Sequence, residues 1–576
     1  MRRKPVRITL AIPEGRICAR NMPENPINTT PSTSASAWIA LAVGALLWFG
    51  GLEYRGLFMP DEGRYADIAR AMLDSSDWVT PRLNGLKYFE KPPLQYWATA
   101  TAFALLGVDE WTARIWPALT GFLGIVFAAF AAVRLAPGSP WKLTALMFAG
   151  CWGYFIGGQF LTLDMGLSFF LSVAMLGFAL SLRSEVSARA SCAWMLLAWA
   201  AMACAVLSKG VVGAALPALA LVCYMLVERD VSLLRRLHWA PGLGVFLAIV
   251  LPWFVLVQSR NPEFFHFFFI REHFERYLLP DHHRPGPWWY FVPILIVGLL
   301  PWTPSVPAVL ARAWKAGDRD GFNLDRFLVI WAGVIVVFFS ASQSKLPGYV
   351  LPALPAILLL LVRHYPRLPE RARRAPFSAG ILAGAALAIS ALALTRWGVP
   401  AWAGLETDYA IWLCAAGLSL AAASCVSLLW FGRGREEASL ALLGLGSLLA
   451  VQLAVSGTHV LDASYSSERL VESVAGEKLR FPRDRPFYSV ATFDQSVPFY
   501  LGRPVTLVEN KDELAPGIAA EPGKYIESIG EFLRRWQDDT DAFAIMRPQL
   551  YEKLRRQGLP GRVMAFDARL IIIARR

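Results

Sequence analysis

Two adjacent carboxylates, Asp61 and Glu62, stand shortly after the first apolar stretch of the chain, and Arg64 follows them. Charged groups beside the hydrocarbon of a membrane are costly, so they mark functional sites there. A carboxylate in such a site can accept a proton or stabilise a developing positive charge. A plainer interpretation makes Asp61 the N-cap of a short helix, although two successive carboxylates are unusual for a cap alone. The pattern predicts catalytic carboxylates at Asp61 and Glu62, with Arg64 in contact with the substrate.

Tyr88, Glu90 and Lys91 lie close together in the sequence, and Lys91 directly precedes two prolines, the second of which is Pro93. Proline suits the first turn of a helix, so a helix is expected over the short apolar segment Leu94 to Leu106. Free N–H groups at its N-terminus would attract an anion, and Lys91 beside them would complete a phosphate site. The alternative is a lysine that only reaches up to the membrane interface. Tyr88, Glu90 and Lys91 are predicted to bind substrate.

Three single charged residues, Asp164, Lys209 and Lys345, occupy short turns between apolar segments. Each has an ordinary alternative, because Asp is a common turn residue and Lys is common at membrane interfaces. A functional role for these three residues is supported by the predicted topology, which places them on the same side of the membrane as Asp61. Asp164 is therefore a predicted second catalytic carboxylate, and Lys209 and Lys345 are predicted substrate contacts.

The segment 259–289 contains four of the seven histidines, among them His273. Their spacing matches no zinc-binding template, yet His273 together with Glu90 could hold a divalent ion. A divalent metal thus stays an open alternative, and no cofactor is assigned. Arg276 is a predicted second phosphate contact, because a guanidinium fork matches phosphate oxygens.

The amino-acid composition indicates the class of protein to which these residues belong. Of the 576 residues, 55% are hydrophobic and only 17% are charged, whereas soluble domains carry about 25% charged residues. With 22 Trp and 35 Phe, the chain fits a membrane protein that has aromatic belts at its interfaces. The net charge is +12, but no soluble segment has a basic stretch interleaved with aromatic residues that could stack on bases. The expected partners therefore include membrane lipids but not nucleic acid.

Hydropathy predicts an α-helical polytopic membrane domain over residues 36–458, with about 13 spans of roughly 20 residues each. Residues 1–35 are predicted to be a disordered cytoplasmic N-terminus. The basic residues sort to one side only when 94–106 lies at the interface instead of spanning, and that side is cytoplasmic. Two long loops then face the other compartment: 54–114, with amphipathic interfacial helices, and 259–289. The predicted spans are 36–53, 115–134, 141–159, 166–182, 192–208, 211–228, 241–258, 290–310, 325–340, 349–363, 378–395, 409–431 and 438–457.

The tail, residues 459–576, changes character and is predicted to be a small α/β domain outside the cytoplasm. Helical patterns near 529–537 and 549–556 alternate with short strand-like runs. It contains no glycine-rich phosphate loop after a strand, so no nucleotide is assigned to it. The predicted strands are 487–492, 505–508, 542–546, 563–567 and 570–574.

Three runs in the first long loop resemble the polyprenyl-phosphate-sugar glycosyltransferases of the C-type membrane fold. Within that group, which includes the protein O-mannosyltransferases, the chain is most similar to the lipid A 4-amino-4-deoxy-L-arabinose transferases. The resemblance covers the whole chain. The three runs are Asp61-Glu62-Gly63-Arg64-Tyr65, Asp77-Trp78-Val79-Thr80-Pro81-Arg82-Leu83-Asn84-Gly85 and Tyr88-Phe89-Glu90-Lys91-Pro92-Pro93.

The resemblance implies a transferase in the inner membrane of a Gram-negative bacterium. Undecaprenyl phosphate would carry the aminoarabinose, and a lipid A phosphate on the periplasmic face would accept it, which protects the cell against cationic peptides. Asp61 matches the family's first catalytic carboxylate and Asp164 its second, while Lys91 matches the position that contacts the carrier phosphate. Arg276 falls in the family's later periplasmic loop.

Two alternatives stay open on the residues alone. A transferase of the same fold could use another sugar or acceptor, such as a protein hydroxyl, in which case Asp61 would act as a base. A lipid-linked sugar flippase would instead place its essential charges on both faces or midway through the bundle. The predicted charges gather on one face, which favours an enzyme.

Overall fold

The computed structural model describes residues 35–575, apart from 137–139, 184, 276–285, 317–320, 403, 476–480 and 483. Most of the predicted N-terminal segment 1–35 therefore lies outside the described residues. The first ten α-helices cover the membrane domain as far as residue 260. They are α1 Ala35–Phe49, α2 Asp61–Ser75, α3 Leu94–Leu106, α4 Glu110–Leu135, α5 Trp141–Ala149, α6 Trp152–Gln159, α7 Asp164–Ser181, α8 Ala188–Lys209, α9 Val212–Glu228 and α10 Trp239–Arg260.

The second half of the membrane domain begins with a π-helix, His266–Glu275. Four α-helices then lead to a long pair that packs side by side, and one more apolar helix follows the pair. Short 3-10 turns join several of them, among them Pro347–Ala353. The α-helices are Phe291–Gly298, Val306–Lys315, Leu324–Ala341, Leu354–His364, Glu370–Trp397, Glu406–Gly432 and Glu436–Ser456.

Nine helices in the described part of the chain are long and apolar enough to cross a membrane. A tenth arises if Phe291–Gly298 and Thr303–Lys315, which meet at a bend of 114°, count as one span. The other predicted spans are helical but short or interrupted: α1 and α9 have 15 and 17 residues, and α5 and α6 divide 141–159. The chain is thus a multi-pass membrane protein, and the number 13 stays a prediction.

The first long loop folds against the membrane domain as α2, a two-stranded hairpin and α3. The predicted helix Leu94 to Leu106 is confirmed with the same bounds, and it begins directly after Pro93. The hairpin strands, β1 Arg82–Leu83 and β2 Leu86–Lys87, are joined by Asn84 and Gly85, which both have positive φ. Such a turn favours Asn and Gly because bulkier residues clash in the left-handed region.

The C-terminal domain is a six-stranded mixed sheet with helices around it, as the sequence predicts. The strand order is β5-β4-β3-β6-β8-β7; β5, β4, β3 and β6 run parallel, and β8 runs antiparallel to β6 and β7. All five predicted strands and both predicted helices are present, whereas the two-residue β5 was missed. The elements are β3 Phe487–Val490, β4 Thr506–Val508, β5 Tyr525–Ile526, β6 Phe543–Met546, β7 Arg562–Phe566 and β8 Ile571–Ala574, with helices Asp462–Tyr465, Glu468–Ala475, Ser496–Leu501, Ala515–Ala520, Ile529–Asp538 and Pro548–Arg556.

The C-terminal domain packs directly on the first long loop. Asn84 exchanges two hydrogen bonds with the backbone of Val505, at 2.9 and 2.7 Å, and Arg82 pairs with Glu521. Gly63 of α2 lies so close to this domain that a Cβ there would be 2.5 Å from the backbone nitrogen of Ser496. The domain is therefore held against the loop that carries the predicted catalytic residues.

Candidate active site

A cavity of about 420 Å³ lies where the first long loop, the ends of the membrane helices and the C-terminal domain meet. It brings together residues from seven separate parts of the sequence. Its walls include charged side chains of both signs, which suits a substrate that carries phosphate and sugar. Six of the predicted site residues line it: Asp61, Arg64, Glu90, Lys91, Asp164 and Lys209.

Asp61 is the first residue of α2, but its side chain does not cap the helix. Pro60 occupies the N-cap position, and Asp61 Oδ1 instead accepts a hydrogen bond from Arg64 Nη1 at 2.7 Å. The Asp61 side chain keeps 38% of its exposure, so the carboxylate is accessible from the cavity. The capping interpretation does not explain this residue.

Asp164 is the first residue of α7 and forms an ion pair with Lys209 at the end of α8. The ammonium of Lys209 also lies 4.4 Å from the ring centroid of Tyr349. The backbone of the 3-10 turn passes so close that a Cβ on Gly348 would be 2.4 Å from Asp164 Oδ2. Glycine at this position leaves room for the carboxylate, which lies between two helix ends and a turn.

Lys91 reaches across the cavity to the π-helix. Its Nζ lies 3.3 Å from Glu272 Oε2 and donates to the backbone oxygen of Glu90 at 2.9 Å. The π-helix also brings Arg271 to the cavity wall. Two cations thus flank one side of the cavity, which is the arrangement expected of a phosphate site.

The C-terminal domain contributes a carboxylate of its own. Glu513 Oε2 lies 2.7 Å from Arg64 Nη2, and Glu513 Oε1 accepts a hydrogen bond from Gln495 Nε2 at 2.6 Å. Burial raises the pKa of Glu513, and the nearby Arg64 guanidinium offsets part of that rise. Arg64 therefore stands between Asp61 of the membrane domain and Glu513 of the C-terminal domain.

The prediction for Glu62 needs correction, because the structure does not bring its carboxylate to this cavity. The side chain is 2% exposed and pairs with the fully buried Arg114, at 2.8 and 2.9 Å. It also accepts hydrogen bonds from the backbone nitrogens of Phe58 and Leu161. Burial would raise the pKa of Glu62, but Arg114 and Arg55 outweigh it and hold that pKa below its usual range.

Two further predicted residues lie beside the cavity instead of on its wall. Lys345 is buried and donates to the backbone oxygen of Ser342, while its neighbour Leu346 lines the cavity. Tyr88 is buried and lines an adjoining cavity of about 680 Å³, to which Glu513 and Arg271 also contribute.

Arg276 and the side chain of His273 lie outside the described residues, so their placement stays a prediction. Among the side chains that the structure describes, no group of three or more His, Cys, Asp or Glu is arranged to hold a metal ion. The suggested pairing of Glu90 with His273 falls partly outside that set.

Several residues of the cavity were not anticipated from the sequence. Asp512 and Glu513 belong to an unremarkable turn of the tail, and no local motif marks them. Tyr349 was predicted to begin the span 349–363, and its position four residues after Lys345 was its only signal. The cavity residues that sequence reasoning missed are Tyr65, Thr162, Leu163, Phe267, Arg271, Glu272, Leu346, Tyr349, Asp512, Glu513 and Pro516.

A second cavity, of about 630 Å³, meets the first at Asp61, Thr162, Asp164 and Leu346. Its remaining walls are almost entirely apolar side chains and glycines from α6, the helix Phe291–Gly298 and the turn Pro347–Ala353. The two carboxylates therefore stand where a polar cavity adjoins an apolar one. That arrangement suits an amphiphilic substrate whose reacting bond lies between a hydrocarbon chain and a sugar.

Two family models match the chain. Residues 36–268 match the model described as dolichyl-phosphate-mannose-protein mannosyltransferase. Residues 474–575 match the model described as the aminoarabinose transferase C-terminal domain. The first match includes α2, α7 and α8, and the second includes Glu513.

Comparison with individual proteins gives consistent matches. An undecaprenyl phosphate-alpha-4-amino-4-deoxy-L-arabinose arabinosyl transferase of Erwinia tasmaniensis is 31% identical over 415 residues, which is 70% of this chain and 74% of that protein. A protein of the same name from an Enterobacter species is 31% identical over 380 residues, 64% of this chain and 66% of that protein. The crystal structure of ArnT from Cupriavidus metallidurans bound to undecaprenyl phosphate is 36% identical, with a TM-score of 0.88, and covers 94% of this chain and 99% of that one.

Proposed function

Because the chain belongs to the family of undecaprenyl phosphate-alpha-4-amino-4-deoxy-L-arabinose arabinosyl transferases, we propose that it transfers this aminoarabinose from undecaprenyl phosphate to a phosphate of lipid A. It is a glycosyltransferase of the membrane. The observation that carries the proposal is the position of Asp61 and Asp164, on the boundary between a polar and an apolar cavity. A carrier lipid has its sugar–phosphate bond at such a boundary.

The donor would lie with its polyprenyl chain toward the apolar cavity and its sugar phosphate in the polar one. Lys91 and Arg271 line the polar cavity and are the cations that we assign to the carrier phosphate. Arg276 is a further phosphate contact proposed from the sequence. Cations at this position stabilise the charge that develops on the leaving phosphate, so no strong acid is needed.

Transfer breaks the bond between the anomeric carbon and the phosphate oxygen of the donor. An oxygen of the acceptor phosphate forms the new bond to that carbon, and undecaprenyl phosphate leaves as an anion. The sugar carries positive charge as the bond breaks. Asp61 and Asp164 would stabilise that charge and position the sugar, including its amine.

The acceptor decides whether a base is required. A phosphate monoester is largely ionised at neutral pH, because its second pKa is about 6. A lipid A phosphate can therefore attack without losing a proton to Asp61. Transfer to a protein hydroxyl is the second candidate function, and it would need a base within about 3 Å of that hydroxyl. The match of residues 36–268 to the mannosyltransferase model favours it.

We place the protein in the inner membrane with its N-terminus in the cytoplasm. The cavity and the α/β domain, residues 459–576, would then face the periplasm, and residues 36–458 would form the transferase domain. The sorting of Lys and Arg between the loops supports this orientation. The expected consequence is the modification of lipopolysaccharide, which would mask phosphate charge from cationic peptides and polymyxin.

Reconstitution of the purified full chain with defined substrates tests the proposal. Undecaprenyl phosphate aminoarabinose and lipid A should give lipid A with one added aminoarabinose, as measured by mass spectrometry. Dephosphorylated lipid A is the matched control and should stay unmodified. Sugar found on the hydroxyls of an added Ser/Thr peptide would establish the second candidate function instead, and passage of the donor across the vesicle membrane without transfer would indicate a flippase.

A further inference from the structure

A second cluster of charged side chains lies at the far end of the helix Leu324–Ala341 from the active-site cavity. The C-terminal end of this helix leads to Leu346, which lines the active-site cavity. Its N-terminal end carries Asp325, which lines a separate cavity of about 640 Å³. A helix of this length extends about 27 Å, close to the thickness of the hydrocarbon core. The two cavities thus lie at opposite faces of the membrane.

The wall of this second polar cavity is built around a buried carboxylate. The Asp325 side chain is 6% exposed, and its two oxygens face the last residues of the helix Leu354–His364. Arg363 Nε lies 2.7 Å from Oδ1, and His364 Nε2 lies 3.1 Å from Oδ2. Asp325 thus holds the guanidinium of Arg363 through Nε, and Nη1 of the same guanidinium lies 3.5 Å from the backbone oxygen of Leu135.

The charge of this cavity is strongly positive. Arg312 and Lys315 come from the helix Val306–Lys315, and Arg363 and Arg367 come from the end of the helix Leu354–His364 and the turn after it. Asp325 is the single carboxylate among the described residues that line it. Four cationic side chains around one buried carboxylate favour a polyvalent anion, and phosphate oxygens match the guanidinium forks best.

The helix Val306–Lys315 indicates where that phosphate comes from. It is bent by 114° from the preceding apolar helix, so it does not continue the span. Its buried face includes Val309 and Ala313, whereas Trp314 is 46% exposed between Arg312 and Lys315. An amphipathic helix with an exposed Trp and flanking cations is typical of the headgroup level of a bilayer. The cavity beside it is therefore within reach of lipid headgroups.

We propose that this cavity binds the phosphate of an anionic phospholipid at the membrane face opposite the active site. Arg363, held by Asp325, provides the fixed contact, and Arg312 and Arg367 also contact the phosphate. Basic pockets between membrane helices bind lipid headgroups in this way. The bound lipid would hold the helices Leu324–Ala341 and Leu354–His364 together at one end, while their other ends carry Leu346 and Tyr349 of the active site.

Lipid binding to the purified full chain in neutral detergent tests the proposal. The probes are phosphatidylglycerol and, at the same chain length, zwitterionic phosphatidylcholine, with bound lipid counted by native mass spectrometry and affinity taken from a titration. The informative variant is R312Q/R367Q, which leaves the Asp325–Arg363 pair intact and changes two exposed side chains. We expect roughly thirtyfold weaker binding of phosphatidylglycerol, since each basic residue near a lipid surface adds about a factor of five.

The matched control is R433Q/R435Q, which removes two exposed arginines that do not line this cavity. It should bind phosphatidylglycerol as the wild type does. Equal losses in both double variants, or unchanged affinity in R312Q/R367Q, would overturn the proposal. Equal binding of phosphatidylcholine would do the same. Competition by inorganic phosphate at the concentration of the lipid would show that free phosphate, and not a lipid, is the ligand.

Discussion

The guanidinium of Arg64 lies 2.7 Å from the carboxylate of Glu513, and this ion pair joins the first loop of the membrane domain to the C-terminal domain. The same guanidinium holds Asp61 through its other terminal nitrogen. The C-terminal domain thus acts on the proposed catalytic carboxylate through one intermediate side chain. This gives the α/β domain a part in the active site, as a positioning unit.

Glu513→Gln should reduce transfer without unfolding the protein. The amide keeps an oxygen for Arg64 but loses the charge, and a hydrogen bond between charged groups is worth about 1.5 to 3 kcal/mol, so kcat/KM should fall about tenfold or more. The pH profile separates this role from a structural one. Because burial raises the pKa of Glu513, this carboxylate takes up a proton at a pH where ordinary glutamates are still ionised. The activity of the wild type should therefore fall as the pH is lowered and Glu513 is protonated. The pH profile of Glu513→Gln should lack this fall.

Glu527→Gln serves as the control for this experiment. Glu527 is an exposed carboxylate of the same domain, paired only with Lys511 in the described structure. It should leave both the rate and the pH profile unchanged. If Glu513→Gln had the rate and the pH profile of the wild type, the C-terminal domain would have no such role at the active site.

Lys91→Ala should weaken binding of the carrier phosphate. The lysine lines the polar cavity beside Glu272, and its loss removes one of the cations assigned to the donor. We expect the dissociation constant of undecaprenyl phosphate to rise about tenfold or more, measured by titration of the purified protein. Lys511→Ala, an exposed lysine of the C-terminal domain, should bind as the wild type does. Unchanged affinity in Lys91→Ala would remove Lys91 from the phosphate site.

Glu62→Gln should destabilise the protein, unlike changes at Asp61. Glu62 is buried against Arg114, and breaking a buried ion pair by removing one partner costs about 3 to 5 kcal/mol. The expected result is a lower thermal unfolding midpoint and a smaller monodisperse fraction in detergent. Asp61→Asn, one residue away, should keep the wild-type midpoint because its side chain is partly exposed. A stable Glu62→Gln protein without transfer activity would restore the catalytic role first predicted for Glu62.

Asp67→Asn should stabilise the protein at alkaline pH. Burial raises the pKa of Asp67 to about 7, although its Oδ2 accepts a hydrogen bond from the backbone nitrogen of Asn84. The folded state therefore holds a proton that the unfolded chain gives up, and stability falls as the pH rises from the ordinary aspartate pKa, about 4, through the raised value. Asparagine cannot ionise and keeps the acceptor oxygen. Its unfolding midpoint should exceed that of the wild type at about pH 8.5, and the difference should shrink at about pH 5.

The exposed Asp538 of the C-terminal domain provides the comparison for Asp67. Asp538→Asn should give the same difference from wild type at both pH values. If Asp67→Asn gave no gain at the higher pH, the buried carboxyl would not be the source of the pH dependence.

The sequence predicted those features that local signals specify. The helix Leu94–Leu106 has its expected bounds because two prolines precede it and Gly107 follows it. The strands of the tail were recognisable from their short apolar runs. The segment 290–310, by contrast, is apolar throughout, so composition could not show that its two helices meet at a sharp bend.

The active site was predictable only in part, because the rest depends on tertiary contacts. Successive residues of a helix point about 100° apart, so Asp61 and Glu62 meet different surroundings, and the sequence does not show which of them faces the cavity. Asp61 does so, and Glu62 turns to Arg114, which lies 52 residues away in the sequence. Glu513 joins the site only because the C-terminal domain folds back onto the first loop, and no local pattern records that approach.

The central claim is that Asp61 and Asp164 act together on the donor sugar at the boundary of the two cavities. Single-turnover transfer from undecaprenyl phosphate aminoarabinose to lipid A measures this directly, with Asp61→Asn, Asp164→Asn and the exposed control Asp74→Asn. Loss of one group that stabilises transition-state charge lowers the rate by about a hundredfold or more. Both active-site variants should show that loss while they bind undecaprenyl phosphate and unfold at the wild-type temperature, and Asp74→Asn should transfer normally. Wild-type transfer by either folded active-site variant would contradict the account.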